Sequence, residues 1–554
     1  MHINIKKYMI RNAIPIIFSF AASICWVLAL EILPVAKNEV SYVNSPLVIC
    51  KIENIFFFFI FFFLAMTIWY LGYWLVKYIQ VKWKKEEGVY NRKIIFIMSS
   101  TIFFSWSICW MTYFPGVAMN DTINMVKNPL SCAATQPLFY SLIVNGIMHS
   151  MKNITGNLMI GWATFVLGQM IVFVAIIIFG MCLLVKKKVR KEFVLIYVAY
   201  YALIPINADY AIAVVKDSMY AYATFLFIIC LVQIEDSTGE WLSNRLNCNV
   251  FIMSAIAMAF TRNNGKIILI IALIYCAIKW KNKFGVIIHL LLLITMISFF
   301  VNTIVFNASS EQCSFRESMS VPLIQMGAVI ANDGVISDEQ KERLNEYLPI
   351  ELWKENYRFS FTDPIKFSSE FDNKYLNDNK MDFLMLWTEL GIQNIKIYIK
   401  SYLYHTYGFW NLITDVDWAS PGGQSVFFKT CNNTRNASQN EYVANNGLEN
   451  INLWPEKYGQ VIDDFYLWGC NFFGIGQVFW IYVLFWSYLI KDRKYKYILI
   501  NVILLLNWLS MMVAAPTSNP VRYLYLLILI LPFMLLVQLE PDEDKNKEYN
   551  VNIQ

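Results

Sequence analysis

The run Ile94-Ile-Phe-Ile-Met-Ser-Ser-Thr-Ile-Phe-Phe-Ser-Trp-Ser-Ile-Cys-Trp-Met-Thr112 carries no charge and leads directly into Tyr113-Phe-Pro-Gly-Val-Ala-Met-Asn-Asp-Thr-Ile-Asn-Met-Val-Lys127. An apolar run of about 20 residues is the length of helix that crosses a bilayer. Asp121 then lies a few residues beyond its end, at the boundary of lipid and water. A carboxylate there can act on a substrate whose tail is in the lipid and whose reactive head is in water. Asp121 is accordingly read as a general base. The plainer reading is a helix N-cap, because Asp followed by Thr-Ile-Asn-Met can start a helix.

Composition sets the class. Of 554 residues, 57% are hydrophobic and only 15% are charged, and the mean hydropathy is +0.46. Soluble chains carry nearer a quarter charged residues, so the expected class is an α-helical polytopic membrane protein. The net charge of +5 calls for no nucleic-acid partner. No cleavable signal peptide is expected, because the apolar run after the basic Met1–Arg11 continues to about Pro34 without a small-residue cleavage site. The cysteines show no metal spacing. Cys313 and Cys431 stand apart in a polar region and can pair if that region is extracytoplasmic.

Further apolar runs start near Ala13, Asn54, Leu158, Phe193, Asp217, Val250, Lys266, Val286, Asn471, Tyr497 and Arg522, about a dozen spans in all. Those at Val250 and Lys266 are short, and read either as a hairpin broken at Arg262-Asn-Asn-Gly265 or as one kinked span. Basic clusters at Lys6–Arg11, Lys82–Lys93, Lys186–Lys191, Lys279–Lys283 and Lys491–Lys496 are all cytoplasmic in one self-consistent topology. That topology places the Asp121 loop and the turns at Asp217, Arg262 and Arg522 together on the outer side.

Three regions follow. Residues 1–306 form a transmembrane region whose first large outer loop is 113–157, with Gln136-Pro137 opening a helix that rests in the interface. Residues 307–470 have soluble composition and read as a mostly helical extracytoplasmic domain. Within it, Met385–Trp410 reads as a helix along the membrane surface. Residues 471–554 hold the C-terminal spans and an acidic cytoplasmic tail. No repeat is visible, so an inverted-repeat transporter has no support.

Besides Asp121, four groups could carry chemistry. Lys216-Asp217 can hold an anionic head group and orient it, or can be interfacial charge with an N-cap. Arg262 and Arg522 near membrane depth need partners. A phosphate suits the planar guanidinium fork, and snorkelling to lipid phosphate is the plain alternative. Asp415 and Asp417 could ligate a divalent cation through oxygen, although plain solvation explains them as well. His149 and His405 read as structural.

Together the Pro115-Gly116…Asn120-Asp121 loop, Gln136-Pro137, Lys216-Asp217, Arg262-Asn-Asn-Gly265, Val321–Val329 with Ile336–Gln340, Thr406–Trp410 and Arg522-Tyr523 resemble the GT-C class of polytopic glycosyltransferases. They are closest to a bacterial family of unassigned substrate. The resemblance implies a plasma-membrane enzyme moving a sugar from a polyprenyl-phosphate donor to a glycan or lipid acceptor on the extracytoplasmic side. It casts Asp121 as base with Asp217 beside it. Lys216, Arg262 and Arg522 would hold the phosphate, with Asn120, Gln136, Asn263 and Tyr523 completing the substrate site. Many relatives carry His-Pro where this chain has Gln136-Pro137, so any contact from that histidine is absent or replaced here. Metal use varies in the class, which leaves a divalent cation at Asp217, Asp415 or Asp417 undecided. A lipid-linked glycan flippase and a surface-polysaccharide polymerase are the rival readings.

Overall fold

The computed structural model describes residues 2–36, 51–82, 91–127, 137–281, 284–308, 315–360, 362–412, 437–470, 474–514, 516–517 and 520–540. Among these residues the chain is helical, with two isolated β-bridges and no strand. Gln136, Cys313, Asp415, Asp417 and Cys431 lie outside the described residues.

The first helices are α1 (His2–Ala36), α2 (Ile52–Lys82), α3 (Arg92–Thr112), the short α4 (Asn120–Lys127), α5 (Leu138–Thr155) and α6 (Leu158–Lys186). They are followed by α7 (Lys191–Leu203), α8 (Pro205–Ile212), α9 (Lys216–Asp236), α10 (Arg245–Thr261), α11 (Asn263–Lys279) and α12 (Phe284–Ala308). Every expected apolar segment is helical where it is described. Among the described residues six helices are long and apolar enough to cross a bilayer: those over Ala13–Ile32, Ile52–Gln80, Arg92–Thr112, Leu158–Lys186, Lys216–Asp236 and Val521–Gln538. The protein is a helical membrane protein. Phe56, Phe59, Phe63 and Trp74 leave α2 with a broad exposed apolar face, as suits a helix against lipid.

Two breaks shape the site. The expected fifth span is not straight: α7 and α8 meet at a 57° bend. Pro205 opens α8 at its first position, and Ile204 before it is extended (φ −82°, ψ 110°). A residue preceding proline is pushed out of the helical region, and proline itself has no N–H to continue α7. The second break, at Arg262, settles the alternative left by the sequence: α10 and α11 form a hairpin. A Cβ on Gly265 would lie 2.3 Å from the carbonyl oxygen of Met258. Residues seven apart in one continuous helix would be separated by about 10 Å, so the chain reverses here.

The region between α12 and the closing helices is helical too where it is described. It comprises α13 (Ser320–Ala331), α14 (Asp338–Tyr347), α15 (Ile350–Asn356), α16 (Asp363–Lys366), α17 (Asn373–Asp378), α18 (Lys380–Gln393), α19 (Ile395–His405), α20 (Tyr407–Trp410), α21 (Ala437–Asn445) and α22 (Glu456–Cys470). Met385–Trp410, expected as one surface helix, is three pieces broken at Asn394 and Thr406. The Asn394 amide bonds both the N–H and the carbonyl of Val335 (2.8 Å each). That exchange suits a break better than a helix interior. The region is seated on the closing helices α23 (Ile475–Asp492), α24 (Ile498–Ala514) and α25 (Val521–Gln538). Trp480 donates to the carbonyl of Trp410 (2.9 Å) and Trp508 to that of Phe409 (3.1 Å).

His405 joins these pieces. It is fully buried, and its Nδ1 lies 2.9 Å from the carbonyl of Phe359. Burial pulls its pKa down from the ordinary 6.5 to about 4. The folded imidazole therefore stays neutral while the unfolded one takes a proton, so stability is intact above pH 6.5 and is lost progressively towards pH 4. A shift of this size corresponds to roughly 3 kcal/mol. Denaturant unfolding in detergent should show that loss in the wild type and a shallower pH dependence in His405→Gln.

Candidate functional site

The site is set by a register. Loop 113–119 after α3 meets the link between α8 and α9 through a parallel bridge, Val117 to Ala213. The N–H of Val117 donates to Ile212 (3.1 Å), and that of Val214 donates to Val117 (2.9 Å). Three residues beyond the bridge on each strand a helix begins, α4 at Asn120 and α9 at Lys216. One residue further on each stands an aspartate, Asp121 or Asp217. Parallel pairing thus carries two acids into one place. Thr122 ties α4 down by donating to the carbonyl of Val214 (2.6 Å).

Two features allow this close pairing. Gly116 has φ +135°, and a Cβ there would lie 2.6 Å from Val166 and 2.9 Å from the carbonyl of Ile212, so only glycine fits. Gln169 of α6 reaches in from the core and donates to the carbonyls of Ala211 (2.8 Å) and Ala213 (3.0 Å). From the other side, Asn450 donates to the carbonyls of Tyr113 and Gly116 (2.9 Å each).

At the centre is Asp217, almost fully buried. Its Oδ1 is 2.9 Å from Arg262 Nη1, and its Oδ2 is 2.8 Å from Arg522 Nε. Arg522 then extends outward, with Nη2 2.8 Å from Asp121 Oδ2. Side-chain exposure rises along this chain, from 1% at Asp217 to 19% at Arg522 and 49% at Asp121, so the network opens to solvent at the Asp121 end. Arg262 lies between the rings of Tyr220 (5.6 Å) and Tyr523 (5.4 Å) and donates to the carbonyl of Tyr523 (2.9 Å). That carbonyl adjoins Leu524, where α25 departs from helical geometry. Lys216, half-buried, shares the electrostatics of both aspartates and both arginines.

The sequence expectations are therefore drawn together in one cluster: Asp121, Lys216, Asp217, Arg262, Arg522 and Tyr523. The arginines need no external anion, since the chain's own carboxylates partner them. Asn120 opens α4. Asn263 is exposed at the start of α11, and its neighbour Asn264 is the one that bonds inward, to Ser510 Oγ (3.1 Å). Among the described residues no group of three or more His, Cys, Asp or Glu could hold a metal.

Two residues were missed. Asp363, first residue of α16, lies within the electrostatic reach of Asp121, Arg522 and Tyr523. It is open to solvent on one side but recessed among protein atoms. That partial burial raises its carboxyl above the usual range; Lys366 opposes this, and the carboxylates of Glu317 and Asp121 add to it. In sequence it is only an Asp-Pro pair, which reads as a turn. Tyr140 of α5 is buried beside Asp217 and Arg522, with a hydroxyl that has no partner. Within an apolar helix nothing in the sequence distinguishes it.

The chain belongs to DUF6020, a family of unknown function whose profile matches residues 127–552. Neither a curated protein nor a solved structure matches it. The matched span takes in Lys216, Asp217, Arg262, Asp363 and Arg522.

Removing Asp217 tests how the cluster is held. Asp217→Asn leaves Arg262 without a carboxylate and Arg522 with Asp121 alone, and should cost about 3–5 kcal/mol of unfolding free energy. Adding Arg262→Gln should cost less than the sum of the single effects, by about 0.5–3 kcal/mol. Chemical denaturation of the four proteins in one detergent measures both.

Proposed function

We propose that this DUF6020 protein is a GT-C-type glycosyltransferase of the bacterial plasma membrane, with about a dozen spans and its site on the extracytoplasmic face. It would move a sugar from a polyprenyl phosphate to an envelope glycan or lipid. One observation carries the reading: an exposed carboxylate, Asp121, sits on a guanidinium that is itself fixed from behind by a buried carboxylate. Around them the first turns of α4, α9, α11 and α25 converge. Helix N-termini favour anions, which suits a phosphate and the negative charge that develops when it leaves.

The donor phosphate enters along Arg522 and Lys216 with its lipid tail between helices. It competes with Asp121 for Arg522, because one guanidinium edge cannot serve both fully. Asp121, relieved of its cation, becomes the stronger base. It takes the proton of the acceptor hydroxyl, the acceptor oxygen bonds to the anomeric carbon, and the carbon–oxygen bond to phosphate breaks. Polyprenyl phosphate departs with the electron pair, and the proton passes from Asp121 to water. Stabilising that leaving group contributes as much as the base does. Asp217 touches neither reactant; it is a positioning residue holding both arginines. Asp363, with its raised carboxyl, faces the same space from the outer region and receives the acceptor.

Purified protein supplied with radiolabelled polyprenyl-phosphate sugars and envelope acceptors provides the test. Asp121→Asn should slow transfer by about 100- to 10,000-fold, with folding unchanged. Full transfer by Asp121→Asn together with loss in Asp363→Asn would move the base to Asp363. If no donor is consumed under any condition, the enzyme reading fails and lipid-linked glycan transport replaces it.

A further inference from the structure

Helices α18 and α19 carry an apolar stripe on the side turned away from the protein. Met385, Ile392, Ile395 and Ile399 are 53–77% exposed. Their spacing, seven residues on α18 and four on α19, puts each pair on one helix face. The opposite face is packed: Phe383, Leu386 and Leu390 of α18 and Tyr398 of α19 are buried. Single exposed apolar residues are ordinary, whereas a lined-up run marks a surface that meets something.

Continuity with α24 says what covers it. Tyr402, one turn beyond Ile399, donates to the carbonyl of Met512 in α24 (3.3 Å). The neighbouring Met511 sulfur accepts from Arg262 Nη2 (3.1 Å), so this is the end of α24 at the Asp217 cluster. Half-exposed Asp121 marks the water boundary there. The apolar α24 turns Val502, Leu509 and Val513 outward, spaced as one helix face against lipid. Val513 adjoins the residue that Tyr402 bonds, so the stripe of α19 begins where that of α24 stops. Ile395 is seven residues from Tyr402, about 10 Å along the helix, and an interfacial helix engages the headgroup layer to about that depth.

Charge and aromatic content agree with lipid. Asp382 and Glu389, the acids of α18, are both held by Arg343 (2.7 and 2.9 Å). Lys396 stands exposed beside the stripe, where its stem can lie on apolar surface and its ammonium reach a lipid phosphate. Trp480 and Trp508, bonded to α20 directly after α19, supply the indole rings that favour a membrane interface. We infer that the exposed face of α18 and α19 lies on the bilayer at the water boundary, its isoleucines among headgroups and upper acyl chains. This contact seats the region between α12 and α23 on the membrane, whatever reaction the Asp217 cluster serves.

Photo-crosslinking reads the contact directly. p-Benzoylphenylalanine replaces Ile395 or Ile399 in full-length protein held in phosphatidylcholine–phosphatidylglycerol nanodiscs. The same label at Val513 is the lipid-facing reference, and at Glu342, exposed on the acidic α14, the solvent reference. Mass spectrometry after irradiation should show phospholipid adducts at Ile395 and Ile399 as at Val513, and none at Glu342. Ile392→Glu should lower the adduct at Ile395 by about tenfold, since burying an isoleucine shifts an equilibrium by about that much. Both labelled side chains are exposed, which spares the fold, and either label alone decides. Lipid adducts absent from both positions, as strong at Glu342, or unchanged by Ile392→Glu would overturn the proposal. So would cross-linking to a second copy of the chain in place of lipid, which would make the face a self-association surface.

Discussion

A single carboxylate, that of Asp217, holds two guanidinium groups from different parts of the chain at 2.8–2.9 Å. Everything near the site depends on it. Arg262 comes from the tip of the α10–α11 hairpin and Arg522 from the start of α25, so the contact joins three elements far apart in sequence. Taking such charges out of water is costly, and their attraction offsets that cost only when geometry and extra hydrogen bonds are good. Here they are good. Arg262 has the Tyr523 carbonyl and two aromatic faces, and Arg522 has a second carboxylate in Asp121. Asp217 Oδ1 meets Arg262 as an ion pair without a hydrogen bond, while the other contacts are hydrogen-bonded.

The surrounding lipid gives that network its force. In an apolar setting, backbone groups outside helices must find partners within the protein. The link between α8 and α9 is such a stretch, and its carbonyls are served by Gln169, Thr122 and the N–H of Val117. The same bonds fix the register that brings Asp121 to Asp217. Satisfying the backbone and building the site are one event. Asn450 adds to this by clasping the loop at Tyr113 and Gly116.

Apart from Asp217 the network is asymmetric towards solvent, and this bears on chemistry. Its buried end is closed to solvent. Its outer end, Asp121 on Arg522, is half exposed, where an ion pair is screened and can be exchanged. A ligand anion arriving there meets an arginine already oriented from behind, which lowers the cost of ordering it.

Membrane class, helical content and the identity of most charged groups in the cluster were legible in the sequence. Composition decides the solvent a chain folds in, and a charge within or beside an apolar run needs a reason wherever it falls. The apolar runs also marked nearly every long helix. Pro205 could have been read as a break, but the bend at α7–α8 outweighed a hydrophobic run that looked continuous. Tertiary structure alone decided who partners whom. Arg262 and Arg522 looked like open anion sites because sequence shows a cation's need without showing what meets it. What meets them is Asp217 together with Asp121, two acids set side by side by a bridge between segments some hundred positions apart. Asp363 and Tyr140 entered for the same reason: helical period and composition describe a residue's own element, whereas a site is made by what other elements bring within electrostatic reach.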